Sequence, residues 1–359
     1  MSQTVVKRKP AANKRMKRQS KKTNRTSANT RRRASRKGKK LLRSNRINKR
    51  ARGWKRGILA RKAPAAPIAP TAPASSLVEQ PSDGGAAPIL IPLTGIIFSK
   101  DRALQLDAAL RSLYLHALDI SNFHMRVLYK TSSDFYESQY ERLKNEYPMV
   151  QFIKEEQFKE QVIASMEPYA YVLFIVDDCM FVRDFTLQSV MNTLAAHNDL
   201  IGFSLRLGPN IRYCYTMSAE QSIPWHHIIE YGYRKFDWTS AQYEFGYPIE
   251  VSSSVYRTTN LLPHLKNLDF SNPNTLEGCM AGRAQELSEG RQFLACSEVS
   301  LAFCNPLNVV QNVYDNRAGS NKENSPQELA LLFENGDRIN VNKYANYIPA
   351  ACHEQVDIF

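Results

Sequence analysis

The chain has 359 residues, enough for one large domain or two ordinary ones. Hydrophobic residues make up 43% and aromatics 10%, so a sizeable core can form and wholesale disorder is excluded. The net charge of +14 divides sharply: residues 1–62 hold 26 of the 48 Lys and Arg and no acid, leaving 22 basic against 34 acidic side chains in the remainder, a net of −12.

Like charges at the density of residues 1–62 repel and oppose collapse, which predicts a disordered basic arm. Residues 63–88, with repeated Ala-Pro steps and then Ser82-Asp83-Gly84-Gly85, read as an extended spacer. An ordered domain is expected over 89–359. Within it, Ile96-Ile97-Phe98 reads as a buried strand. Leu106, Leu110 and Leu113 then recur at helical spacing. Residues 124–129 alternate like a second strand. Residues 133–147 place Tyr136, Tyr140 and Leu143 on one helix face and stop before Pro148. A short strand follows at 150–153, and 171–176 is a run of six apolar residues ending in two aspartates. Leu187, Val190, Met191 and Leu194 mark a helix, and 200–205 a further strand. This alternation predicts an α/β domain with a mostly parallel central sheet flanked by helices, which binds ligands at the carboxyl ends of its strands. Aromatic and polar residues then dominate 206–260. A strand is expected at 250–257, and helices at 275–288 and 326–335. The second of these has Ser325 as cap, Pro326 first and Gly336 as stop.

The longest apolar stretch, near 89–98, is interrupted by Pro92, Thr94 and Gly95 and falls short of the roughly 18 residues of a spanning helix. Lys7-Arg8-Lys9 interrupts the N-terminus where a secretory signal would need apolar residues. The expectation is a cytoplasmic protein whose six cysteines, none in a CxxC pair, are reduced thiols.

The sharpest chemical signal is Tyr-Val-Leu-Phe-Ile-Val-Asp-Asp-Cys at 171–179. A buried strand delivers Asp177 and Asp178 to its carboxyl end. Two adjacent carboxylates repel, and Mg²⁺ or Mn²⁺ relieves that repulsion while meeting diphosphate oxygens. An ordinary polar turn after a strand gives the same residues. Similarly, Asn274-Thr275-Leu276-Glu277 reads as a helix cap with a third-position glutamate.

Phe98-Ser99-Lys100-Asp101-Arg102 after a first strand, the apolar strand ending in Asp177-Asp178, and the segment 272–278 (Asn-Pro-Asn-Thr-Leu-Glu-Gly) together resemble a GT-A-fold, family 2-like glycosyltransferase over about residues 93–355. The resemblance implies a nucleotide-sugar donor, a divalent cation (Mn²⁺ or Mg²⁺) on its diphosphate, and transfer to a sugar or glycoconjugate acceptor. It implies a cation site at Asp178 and Asp177 with His353 near the end of the fold. Ser99, Asp101, Arg102, Lys130 and Asp177 then border the nucleotide, and Arg206 meets diphosphate or acceptor. Glu277 becomes the base of an inverting transfer, with Glu250 and Asp237 as alternatives. Trp225, Trp238 and Tyr247 are candidates to stack on a sugar. The family motif is Asp-any-Asp, whereas Cys179 stands at the third position here.

That departure motivates a second reading: a nucleic-acid or polyanion-binding protein whose GT-A-like body has lost catalysis. The 26 positive charges of the arm favour contact with phosphate over base reading. In either reading the arm localises the protein to a polyanionic surface. A nucleotidyltransferase is a third option, opposed by the lack of a Gly-rich phosphate loop near the first strand.

Overall fold

The computed structural model describes residues 91–314, 317–319, 321 and 324–359. The expectations for the arm at 1–62 and the linker at 63–88 lie outside these residues.

The chain opens with β1 (Ile91–Lys100), α1 (Ala103–His116), β2 (His124–Lys130), α2 (Asp134–Glu146), β3 (Gln151–Lys154), α3 (Phe158–Met166) and β4 (Tyr169–Val176). Next come β5 (Cys179–Phe181), α4 (Leu187–Ala196) and β6 (Leu200–Ser204). Short strands follow: β7 (Tyr213–Cys214), β8 (Ala219–Glu220), β9 (His226–Ile228) and β10 (Arg234–Asp237). The remainder is β11 (Ser253–Arg257), α5 (Thr258–Leu265), α6 (Pro273–Ala281), α7 (Ala284–Leu287), β12 (Phe293–Cys296), β13 (Ala302–Cys304) and α8 (Pro326–Asn335).

Nine strands form one sheet in the order β3-β2-β1-β4-β11-β6-β12-β10-β9. Only β11 and β10 run against the others, so the sheet is mostly parallel in direction. Alternate residues of the central strands serve opposite faces, as strand geometry requires. Leu173 and Ile175 of β4 join one core with Leu106 and Leu110 of α1, Tyr140 and Leu143 of α2, and Val190 of α4. Val172 and Phe174 join the other with Val162 and Met166 of α3 and Leu261 and Leu265 of α5. Burial on both faces explains why β4 is an unbroken apolar run rather than an alternating one. The result is the expected α/β sandwich.

The later elements correct several expectations. α6 begins at Pro273, because Asn272 accepts from the Thr275 N–H at 3.0 Å and Thr275 reciprocates. Thr275, not Glu277, therefore completes the capping box, and the Glu277 carboxyl is left for other partners. The helix expected over 275–288 is two helices, separated at Gly282 and Arg283. The strand expected from 250 starts only at Ser253, because the Glu250 carboxylate takes the backbone N–H groups of Ser252 and Ser253 and turns the chain. α8 forms as read: Ser325 accepts from the Glu328 N–H at 3.2 Å, and Gly336 closes the helix at φ 96°. All six cysteines are unpaired. Among the described residues no helix is long and apolar enough to cross a membrane.

Candidate functional site

The carboxyl ends of β1 and β4 lie side by side, with that of β6 beyond the antiparallel β11, and they carry two arginine-centred clusters. The first forms where β1 turns into α1. Asp101 adopts φ 55°, a left-handed conformation that an L residue takes at a cost. The turn is held by the Asp101 N–H to the Lys130 carbonyl (3.3 Å) and by the Ser132 N–H to Asp101 Oδ1 (2.8 Å). It brings Arg102 back over the end of β4. Arg102 Nη1 then donates to Asp177 Oδ1 at 2.9 Å and reaches Asp178 Oδ2 at 3.4 Å.

Asp177 is buried, and its second oxygen is filled as well. Oδ2 accepts from Ser99 Oγ at 2.9 Å and from the Lys100 N–H at 3.3 Å. With Ser99 donating to Asp177, the Tyr140 hydroxyl, 2.5 Å away, must donate to Ser99 while accepting from the Arg102 N–H. Burial pushes the Asp177 carboxyl up; Arg102 pulls it down, and the Asp178 charge pushes it up again. Burial opposes the Arg102 charge, but Asp177 and Asp178 outweigh it and hold the guanidinium above its usual value.

The other edge of Arg102 faces the segment after β13. Nε donates to Asn308 Oδ1 at 2.8 Å, and Nη2 donates to the Asn308 carbonyl. Lys100 Nζ donates to the Val310 carbonyl at 3.2 Å. Asn308 is itself anchored, donating to the Asn324 carbonyl at 2.7 Å. Tyr314, further along, places its hydroxyl against Gly278 of α6, beside Glu277.

The second cluster follows β6. Arg206 is 2% exposed. Its Nη1 pairs with Glu244 Oε2 at 3.1 Å, and its Nε lies 3.6 Å from Glu250 Oε1. Burial pushes the Glu244 carboxyl up, yet Arg206 and His353 overcome it and hold it down at about 2. Glu250 accepts from the hydroxyls of Ser252 and Ser254 besides the two backbone N–H groups. Tyr256 braces the same turn, its hydroxyl accepting from the Glu250 N–H at 2.9 Å. Its ring packs where a side chain on β6 would project, so the facing position is Gly202.

Glu277 borders this cluster. Its Oε2 lies 3.4 Å from the Val251 N–H, and Tyr247 hydrogen-bonds to the same carboxyl. Burial pushes Glu277 upward, Glu250 adds to the rise, and Arg206 opposes it. The turn at 251–252 also accepts the Val176 N–H through the Ser252 carbonyl (3.3 Å). Glu277 is therefore tied to the end of the strand that delivers Asp177.

The sequence-derived candidates separate as follows. Ser99, Arg102, Asp177 and Asp178 are brought together, with Asp101 in the adjoining turn. Lys130 is half exposed and pairs with Glu155 at 2.7 Å instead. Arg206 is sealed among glutamates and offers no edge to a diphosphate. His353 contacts Glu244 at 3.8 Å, not the aspartates. Glu250 is saturated with donors, and Asp237, at the end of β10, accepts from Thr239. Trp238 is core, donating to the Arg291 carbonyl at 2.9 Å. Trp225 is 73% exposed and packs on His227 of the edge strand β9. Tyr247 holds Glu277 rather than presenting an open face. Tyr140, Asn308 and Glu244 were missed. Tyr140 reads as ordinary helix core, and nothing local marks Asn308 or Glu244 as partners of arginines far away in sequence.

The expected cation finds no ligand set. Among the described residues no three His, Cys, Asp or Glu side chains gather as a metal would need. Both Asp177 oxygens already accept, and Asp178 lines a cavity of about 10 Å³ with Gln105, Asn305 and Leu307, room for about one water. The residues do not fit a divalent cation as arranged. A larger cavity of about 400 Å³, lined by Glu167, Tyr169, Thr258 and Lys266, sits at the opposite end of β4 from this chemistry.

In open α/β sheets ligands bind outside the carboxyl ends of the strands, which is where these charged groups lie. In sequence the chain is 26% identical over 278 residues to the bifunctional glycosyltransferase pgtA of Dictyostelium discoideum, covering 69% of this chain and 36% of that protein. The chain thus spans about a third of its relative. No protein-family model matches. Among solved structures, S. aureus TarS overlaps with a TM-score of 0.38 at 13% identity, over 59% of this chain and 36% of that one. The mannosyltransferase PcManGT from Pyrobaculum calidifontis, in complex with GDP-Man and Mn²⁺, overlaps at 0.35 and 12% identity, over 61% of each chain. Overlaps this loose carry nothing about donor, metal or activity.

Proposed function

We propose that residues 89–359 form a glycosyltransferase, moving a sugar from a nucleoside-diphosphate donor to a sugar or glycoconjugate acceptor. The observation that carries this reading is the sequence relationship to a glycosyltransferase over 278 residues. The site is compatible with it: a cationic turn and a partly buried carboxyl shifted upward are tied to the same strand end. In this reading the donor diphosphate lies over the β1–α1 turn, near Lys100 and Arg102. Glu277 takes the proton of the acceptor hydroxyl, which is the role of the base in an inverting transfer. Its upward shift moves it toward the range in which a general base works best. Val251 and Tyr247 fix its direction. No step is routed through a cation.

The basic arm is proposed to hold the enzyme on a polyanionic surface such as nucleic acid, with binding that falls steeply as salt rises. A thermal-shift screen of the full chain with UDP-, GDP-, CMP- and dTDP-sugars tests the donor site, since a ligand of the folded state raises its melting temperature. One nucleotide is expected to stabilise the protein and to be consumed when an acceptor is supplied. A flat screen with salt-sensitive polyanion binding would instead favour a binding protein.

A further inference from the structure

We propose that Arg102 occupies the place of the divalent cation, so that nucleoside-diphosphate binding here needs no metal, and that Asn308 fills the phosphate position until the donor arrives. The inference rests on the nucleotide-sugar reading above.

Three observations converge. First, paired aspartates at a strand end need a positive partner, and they already have one. A single Arg102 nitrogen bridges Asp177 and Asp178, at 2.9 and 3.4 Å. Ser99 and the Lys100 N–H both donate to the second oxygen of Asp177. A cation entering between the carboxylates would have to expel a guanidinium that is only 10% exposed and held by both.

Second, the guanidinium is used from both sides. Its Nη1 faces the aspartates, and its Nε–Nη2 edge is a flat two-donor fork. Such a fork matches two oxygens of a phosphate or carboxylate. In this structure the two oxygens are Oδ1 and the main-chain carbonyl of Asn308. They are neutral acceptors standing where an anion's oxygens fit.

Third, the ammonium of the neighbouring Lys100 also ends on a carbonyl of the same segment, Val310, at 3.2 Å. The Nε–Nη2 edge of Arg102 and the Lys100 ammonium therefore point at one segment, and both meet uncharged oxygens there. A diphosphate that displaced Asn308 and Val310 would exchange bonds from these cations to neutral oxygens for bonds to anionic ones, adding the Coulomb attraction of opposite charges. Asp177 and Asp178 meanwhile keep Arg102 oriented, so they act as positioning residues for the guanidinium rather than as ligands of a metal.

The test uses the full-length protein with UDP and GDP as probes, by calorimetry and thermal shift, in EDTA and then in Mn²⁺. Mn²⁺ binding without nucleotide is followed by electron paramagnetic resonance. The expected result is a nucleotide affinity unchanged by EDTA and no tight Mn²⁺ site in the wild type. Arg102→Lys keeps the charge but loses the fork, and is expected to weaken nucleotide binding at least tenfold. Asn308→Ala removes the competing oxygen of its side chain and should tighten binding several-fold. Arg102→Ala, where it folds, frees the aspartates and should create Mn²⁺ binding that the wild type lacks. Nucleotide binding that disappears in EDTA and returns with Mn²⁺ overturns the inference and leaves the glycosyltransferase reading standing. Binding of neither nucleotide under any condition, with no sugar nucleotide active in the donor screen, takes both down. An unchanged affinity in both Arg102→Lys and Asn308→Ala overturns the role of Arg102 alone.

Discussion

Arg102 and Arg206 stand two residues beyond the ends of β1 and β6, and each holds two carboxylates. Their surroundings are nevertheless unlike. Arg206 is enclosed: Glu244 and Glu250 are buried with it, and the serine-rich turn saturates Glu250. Arg102 is anchored on one side only, and its other edge meets a segment that arrives from more than 200 residues away. A closed arginine triad fixes the shape of a site. An arginine with a replaceable partner is suited to meeting a ligand. Under the proposed function, the comparison places the donor at the first cluster and leaves the second to support Glu277.

The largest expected effect separates the two arginines by stability. Arg206→Met leaves two buried glutamates without their counter-charge, and breaking such a buried pair costs about 3–5 kcal/mol. Arg102→Met should cost less, because Asp177 keeps Ser99 and the Lys100 N–H, and Asp178 is 16% exposed. Urea unfolding of both variants measures this; equal losses would erase the distinction.

Next comes Glu277. Glu277→Gln is expected to lower turnover by about 10²–10⁴-fold, the usual contribution of a general base, with little change in donor affinity. In the wild type the rate should rise with pH through the raised Glu277 value, since the base must be ionised. Stability runs the other way. A carboxyl whose folded value lies above its unfolded one loses folding free energy as pH climbs between the two. The glutamine variant should therefore melt above the wild type at neutral pH, and that advantage should vanish at acid pH. A variant that is slower but no more stable would separate catalysis from burial.

Glu244 has the opposite sign. Its folded value, about 2, lies below the ordinary 4.5, so its stabilising contribution is complete above the ordinary value. It is lost as pH falls toward 2. Acid unfolding followed by circular dichroism should show this loss, and Glu244→Gln should flatten it. Persistence of the acid transition in that variant would place the cause elsewhere.

Much of the fold was legible because its signals are local. The doubly buried β4 appears as an uninterrupted apolar run, and α8 announces itself through Ser325, Pro326 and Gly336. α3 was legible but unread, with Phe158, Val162 and Met166 four residues apart. The short strands β9, β10, β12 and β13 were not legible, because three or four residues carry too little periodicity to mark a strand. The site divides in the same way. Asp177, Asp178, Arg102 and Ser99 sit at strand ends that the pattern itself locates. The partners that decide their chemistry do not: Asn308 meets Arg102 across a sequence separation of 206, and Glu244 lies in an aromatic stretch with no period. The two adjacent aspartates, from which a cation was expected, are paired with Arg102, which the sequence placed nearby but could not aim.

The smallest expected effect concerns two glycines that face aromatic rings. At Gly202 a methyl group would lie 2.6 Å from the Tyr256 ring, which is fully buried, and 3.1 Å from the Val255 carbonyl. Neither can yield, so Gly202→Ala should cost about 1–3 kcal/mol, as overpacking does, and should disturb the Glu250 turn that Tyr256 braces. At Gly278 the added methyl would meet the Tyr314 hydroxyl, but that ring is 50% exposed and can swing outward. Gly278→Ala should therefore lie within about 0.5 kcal/mol of the wild type in stability, as surface changes usually do. Its effect should appear in the segment that carries Asn308. With Tyr314 displaced from α6, that segment loses an anchor beside Glu277, and the apparent nucleotide affinity should rise modestly. A matched pair of melting and binding curves reads both quantities. If Gly278→Ala is as destabilising as Gly202→Ala, Tyr314 is part of the rigid core, and the covering of Arg102 is fixed rather than exchangeable.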